Sequence, residues 1–578
     1  MVFDERPSPA RVSAAAAAKL PRAVLLALIV AYIVSGLFGR DPWQEDDATG
    51  FGIMWTMARS GDWLLPAVAG EPVTTDGPLA FWAGAASISL LGGALGEIAA
   101  ARLPTALWFL LATAALWYAT LRLARRDEAQ PVAFAFGGEA TSRDYGRMLA
   151  DVAVLLALGT IGPVITLHET TSEPAAFALT CAALYGLALS LERPVAGASL
   201  TGFTLGLLVL ARGFQPAVWM ALAALPLLAR TEARAVRLRA AALMLLAAAA
   251  VAGAWILAVL AQRGEAGSTY LNDWFWSGLR GFAWPDLETL LWLPRTLPWY
   301  TWPLWPLAFW ALYAWRHGLR HPHIAIGAVV LGAQVIGLLT THWPSVGDVT
   351  FIVAPLVILA AFGTVSLRRA AGNVIDWFTI TTFSLFALAL WAYFVAAHAG
   401  IPPKMQASVL RLTSGYLPPL DWPRVLLAAT ASGLWLALVA WRVRQPSAPL
   451  WRGAALAATG VVTLWVAFTS LFLGAVDYRR SFASVAQTVA AEIALNGRPG
   501  DCVLAHHLRL SHRAVFAFHG EIRFGSAGDR DCAFALHRDV ISSLLDDSLP
   551  PGQWAQVWQG HRPGRSDEVI RLYRRLGE

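Results

Sequence analysis

Three acids stand in a row at Glu45, Asp46 and Asp47, directly after the first apolar run of the chain. A second stretch, "LHETTSEP" at 167–174, adds His168, Glu169 and Glu173. A carboxylate within hydrogen-bond reach of a reacting hydroxyl can act as its general base. Adjacent acids on a helix or turn point in different directions, so Asp46 and Asp47 are not equivalent. Asp46, Glu173 and His168 together could also hold Mg, Mn or Zn, although nothing in their spacing requires a metal. The competing reading is an ordinary solvated charged loop, with His168 an interface histidine whose hydrogen bonds are satisfied.

The elements that must position these residues are membrane helices. Of the 578 residues, 57% are apolar and only 14% charged, and the mean hydropathy is +0.53. Apolar runs of about 20 residues, the length that spans hydrocarbon, recur along most of the chain. Helices satisfy their own backbone in lipid, and the short alternating segments of a β-barrel are absent. The N-terminal basic residues Arg6, Arg11, Lys19 and Arg22 precede "AVLLALIVAYIVSGLFG", which lacks a small-residue cleavage site and reads as a retained first helix.

Further basic clusters lie at 122–128, 143–147, 230–239, 316–323, 367–369 and 442–452. Placing each in the cytoplasm gives about 13 spans, with the N-terminus also cytoplasmic. The short apolar run after Pro78 is then expected as a helix at the outer interface, over 78–93. The same assignment puts the acids, most prolines and many of the 27 tryptophans outside. The net charge of +6 is accounted for by the cytoplasmic clusters, and no nucleic-acid motif appears. Bilayer lipid is therefore a partner; nucleic acid is not.

Composition shifts near residue 476. Residues 1–476 read as the transmembrane domain. Residues 477–578 read as a small α/β or α+β domain, with a helix-like stretch followed by short strand-like runs such as "CVLAHH" and "AVFAFHG". By topology this domain is periplasmic, where a Cys502–Cys532 disulfide is permitted. A zinc site using His506, His507, His512 or His519 is the alternative, but paired ligand spacing is missing. Cys181, inside an apolar span, reads as an inert core residue.

The ordered set of motifs resembles the GT-C superfamily of glycosyltransferases, in particular bacterial aminoarabinose transferases of lipid A and the wider family related to protein O-mannosyltransferases. It comprises the acidic pair after the first span, "ARSGDWLLPAVAGEP", "TTDGPLAFW", "HETTSEPAAFAL", "LARGFQP", "NDWFWSGLRGF" with "PWYTWPLWPLAFW", and "GDVTFIVAPLVILA". Asp46-Asp47 takes the place of the family's Asp-Glu, and Glu173-Pro174 that of its Asp-Pro. The resemblance implies an all-α polytopic bundle in the bacterial inner membrane, acting as a monomer at the periplasmic face. Such an enzyme moves a sugar from a polyprenyl-phosphate carrier to a glycolipid such as lipid A, a polysaccharide or a protein.

It implies Asp46 as general base, Asp47 as its partner and Glu173 as a positioning acid, with His168 and Glu169 as weaker substrate contacts. No cofactor is required by it. Two departures stand out. The family's "EKP" lysine is replaced by Gly77, and the basic residues before the late Pro-containing span are missing. The carrier phosphate is then left to outer-side Arg212, Arg280, Arg295 and His342. A carrier-lipid binding protein without transferase activity, or a lipid-linked sugar transporter, is the rival reading.

Overall fold

The computed structural model describes residues 8–43, 45–229, 233–444, 449–498, 500–525, 532–540, 549, 553–565 and 568–576. Arg6 and parts of the basic clusters, 230–232 and 445–448, lie outside them.

The apolar runs fold into a helical bundle. In chain order it comprises α1 (Arg22–Val34), α2 (Glu45–Ser60), a hairpin of β1 (Ala67–Val68) and β2 (Glu71–Pro72), α3 (Leu79–Leu95), α4 (Glu97–Ala124), α5 (Ser142–Leu158), α6 (Pro163–Thr166), α7 (Glu173–Ser190) and α8 (Pro194–Arg212). There follow α9 (Phe214–Leu228), α10 (Arg234–Arg280), α11 (Leu287–Tyr300), α12 (Leu304–Ala314), α13 (Pro322–Leu339), α14 (Thr350–Thr364), α15 (Arg369–Ala399), α16 (Pro403–Leu412), α17 (Trp422–Arg444) and α18 (Arg452–Arg480). Among the described residues, eight helices are long and apolar enough to cross a bilayer, and five shorter ones are also apolar. The protein is a multi-span membrane protein.

Helix α7 is the hub. It packs on α4, α8 and α14, and its residues Ala175–Leu179 are buried among them. Small residues on α7 and α8 let those backbones approach closely. Helix α10 breaks at Gly264 (φ 51°, ψ −123°), in the left-handed half of the map that glycine enters without a Cβ penalty. The chain turns back there, and Tyr270 and Trp274 pack on Trp255. Trp255 Nε1 donates to Leu64 O (3.1 Å) and Tyr270 Oη to Val73 O (2.7 Å), so this return segment holds the loop after α2.

The C-terminal part adds α19 (Ala483–Asn496), α20 (Leu510–His519) and a mixed sheet of β3 (Val503–His506), β4 (Phe534–Val540), β5 (Trp554–Gly560) and β6 (Glu568–Arg575) in the order β3-β4-β6-β5. Strands β3 and β4 are parallel, and the other pairs antiparallel. Alternate residues of β6 are buried, as one-sided packing requires. Cys502 and Cys532 are disulfide-bonded beside the parallel pair (Cα–Cα 4.8 Å). Helix α20 lies between sheet and bundle: Val515 and Phe516 join the sheet core, and Ala514 joins Phe51, Ile53 and Met54 of α2. Arg509 pairs with Glu45, and Arg513 with Glu71 (3.1 Å).

Candidate active site

Consecutive helical residues point about 100° apart. In the first turn of α2 this sends Asp47 inward and leaves Asp46 open. Asp47 is fully buried. Its Oδ2 accepts from Arg40 Nη1 (2.7 Å) and Arg102 Nη2 (3.1 Å), and its Oδ1 from Thr170 N (2.7 Å) and Thr170 Oγ1 (2.8 Å). Burial by itself would raise its pKa, but Arg102, Arg40 and the two Thr170 donors overcome that and hold the carboxyl at about 2. Arg40 also donates to Gly36 O and His168 O, and Arg102 to Leu37 O. Asp47 therefore ties the end of α1, the start of α2, α4 and the loop before α7 into one knot.

Asp46 faces a cavity of about 370 Å³ whose wall also carries Asp76, Glu173, Arg212 and Asp348, with Phe81, Phe214, Trp219 and Trp274. Arg212, the last residue of α8, lies 2.9 Å from Glu173 Oε1, 3.1 Å from Asp348 Oδ1 and 3.5 Å from Asp76 Oδ1, and donates to Ser172 Oγ (3.1 Å). Glu173 opens α7. A cation at a helix C-terminus and an anion at an N-terminus each suit the helix dipole. Ser172 Oγ donates to Asp76 (3.0 Å), and Asp348 accepts from Ser345 N and Oγ (both 2.8 Å). Glu173 Oε2 is buried without a partner.

Among the described residues Arg212 is the only basic side chain in this wall. The surplus of carboxylates shows in their titration. Burial, reinforced by Glu173 and Asp348 and opposed by Arg212, pushes Asp76 up to about 6. Burial and then the Glu173 charge raise Asp46 as well, again against Arg212. No group of three His, Cys, Asp or Glu among the described residues is arranged to hold an ion.

The other residues singled out from sequence lie apart from the cavity wall. His168 is buried, with Nδ1 2.5 Å from Val164 O and Nε2 2.8 Å from Tyr32 O, so both ring nitrogens face backbone. Glu169 is buried beside Asp47, and burial followed by the Asp47 charge lifts its carboxyl well above the usual range. Arg280 is exposed and donates to Trp276 O (3.2 Å). Arg295 is exposed on α11, and His342 is stacked on Trp343. Asp76 and Asp348 were not singled out. Asp76 adjoins the Gly77 departure, and Asp348 ends the "THWPSVGD" segment, so both sat inside motifs already in view.

Gly77 has a steric cause. A Cβ built there would stand 2.2 Å from Leu210 O and 2.8 Å from Leu210 Cα. The loop presses on the last turn of α8, and this brings Asp76 next to Arg212. No lysine fits that path.

No family model matches the chain, and no curated protein matches it by sequence. Its fold is shared with solved structures. A crystal structure of ArnT from Cupriavidus metallidurans bound to undecaprenyl phosphate superposes with a TM-score of 0.65 at 15% identity, over 95% of this chain and 97% of that one. The apo structure of the same protein gives 0.61 at 16% identity over the same shares.

Proposed function

We propose that the protein is a membrane glycosyltransferase that moves a sugar from a polyprenyl-phosphate carrier to an acceptor hydroxyl, with Asp46 as general base. The observation that carries this reading is the opening of Asp46 into an acidic, aromatic-walled cavity. It belongs to a chain that shares its fold with ArnT, one crystal structure of which holds undecaprenyl phosphate. Asp46 takes the proton of the acceptor hydroxyl as that oxygen attacks the anomeric carbon. The bond from that carbon to the phosphate oxygen breaks, and its electron pair leaves with the polyprenyl phosphate. A raised pKa makes Asp46 a better base near neutral pH than an ordinary aspartate.

Arg212 balances the departing phosphate. Asp76 can carry a proton at mildly acidic pH and so loosen its hold on Arg212. The excess of carboxylates favours a sugar bearing an ammonium group, and the tryptophans offer faces for its ring. The carboxylate–arginine cluster needs no metal for these steps.

In this reading the Asp46 end of the bundle faces the periplasm of a bacterial inner membrane and the basic ends of the helices face the cytoplasm, with about 13 spans over residues 1–476. The disulfide in 477–578 suits an oxidising compartment. The acceptor is lipid A or another glycolipid, a polysaccharide or a protein, and the enzyme works as a monomer. Purified protein given a polyprenyl-phosphate aminosugar and candidate acceptors should release polyprenyl phosphate and glycosylated acceptor. Binding of the donor without release under any acceptor would favour a carrier-lipid binding protein instead.

A further inference from the structure

A larger cavity lies elsewhere. A groove of about 2030 Å³ runs between α5, α12, α14, α15 and α18. One end reaches Trp302, Trp465 and Phe468; the other is bordered by Arg11, Arg368, Arg369 and Arg452. The helices fix which end is which. Helix α14 starts at Thr350, hydrogen-bonded to Tyr300 beside Asp348, and ends just before Arg368. Helix α18 starts at Arg452 and ends near Asp477, which accepts from Asp41 N beside the acidic knot. The arginines therefore lie at the end of the bundle opposite Asp46.

Their charges are unequally used. Arg452 is paired with Asp376 (2.7 Å). The side chains of Arg11, Arg368 and Arg369 make no hydrogen bond or ion pair among the described residues. They stand at the N-terminus of α15, whose unpaired N–H groups also favour an anion, and Gly372 leaves open space in that first turn. A mostly apolar groove, with three cations at one end that are unpaired among the described residues, complements an amphiphile with long acyl chains and an anionic head.

We infer that this groove is a binding site for an anionic diacyl phospholipid, its phosphate held by Arg368, Arg369 and Arg11 and its acyl chains lying along α12, α15 and α18 toward Trp302 and Phe468. A carrier lipid serving the Asp46 cavity would have its phosphate at the other end of the bundle, so the two sites are distinct. The inference rests on the multi-span fold and on this groove. It does not depend on the transfer reaction.

Native mass spectrometry of the full-length protein in detergent, titrated with phosphatidylglycerol or with phosphatidylcholine of the same chains, tests it. The wild type should retain phosphatidylglycerol over phosphatidylcholine by on the order of tenfold. R368Q/R369Q should reduce that ratio to near one, and R11Q, outside any helix, should lower it in the same direction. R143Q/R320Q, at the same end but off the groove, should keep it. Thermal unfolding in phosphatidylcholine nanodiscs checks that each variant is folded. Equal retention of the two lipids by the wild type would overturn the inference. So would an equal effect of R143Q/R320Q, or a loss of polyprenyl-phosphate retention in R368Q/R369Q with phosphatidylglycerol retention unchanged.

Discussion

Asp46 and Asp47 are chemically alike and one residue apart, yet they have opposite surroundings. Asp47 is locked by two buried arginines and Thr170, and that lock makes it an anchor. Removing one partner of a buried ionic network strands the others. Asp47→Asn is therefore expected to destabilise the protein by about 3–5 kcal/mol, read as a lower unfolding temperature in detergent. Because the Asp47 pKa is depressed to about 2, its stabilisation is complete above the ordinary carboxylate range and fades as pH falls from about 4 toward 2.

Asp76 has the reverse sign. Its pKa is raised to about 6, so the folded state prefers the protonated form. Stability should decline as pH rises from about 4 through 6. Asp76→Asn should flatten that part of the pH–stability curve, and an unchanged slope would remove Asp76 as its source.

Three of the cavity's charged residues, Asp46, Glu173 and Arg212, were legible in the sequence because each sits in a recognisable motif at the end of an apolar run. Asp76 and Asp348 were not, since a single acid in a loop acquires meaning only when tertiary packing brings it to a shared arginine. Arg280, Arg295 and His342 had the right charge in the right loops, but their side chains lie away from the cavity wall.

At the scale of elements, the apolar runs announced the helices, including α3 where a helix over 78–93 was expected. What could not be read was how closely the loop before α3 approaches α8. Gly77 looked like the loss of a lysine; its position against Leu210 explains it as a contact that admits no side chain. Gly77→Ala should displace either this loop or the last turn of α8 and so separate Asp76 from Arg212. Overpacking of this kind costs about 1–3 kcal/mol. A lower unfolding temperature together with weakened donor binding is the expected outcome. A neutral Gly77→Ala would show that the loop has room to spare.

At the scale of the molecule, the bundle and the C-terminal domain meet on α2. The bundle fixes the helix through Asp47, and α20 covers its other side through Ala514 and the Arg509–Glu45 pair. The composition shift near residue 476 announced a mixed α and β tail, but it carried no information on where that tail would dock, because the contacting residues of α2 and α20 are ordinary apolar side chains. Asp46 is thus held on a helix supported from both sides, which is what a base needs if it is to meet an acceptor hydroxyl at a fixed distance. The most direct test is single-turnover release of polyprenyl phosphate by Asp46→Asn, measured alongside donor binding and thermal unfolding. Asp46→Asn should fold and bind donor as the wild type does while release slows by roughly 10²–10⁴-fold; release at the wild-type rate would contradict the assignment of Asp46 as the base.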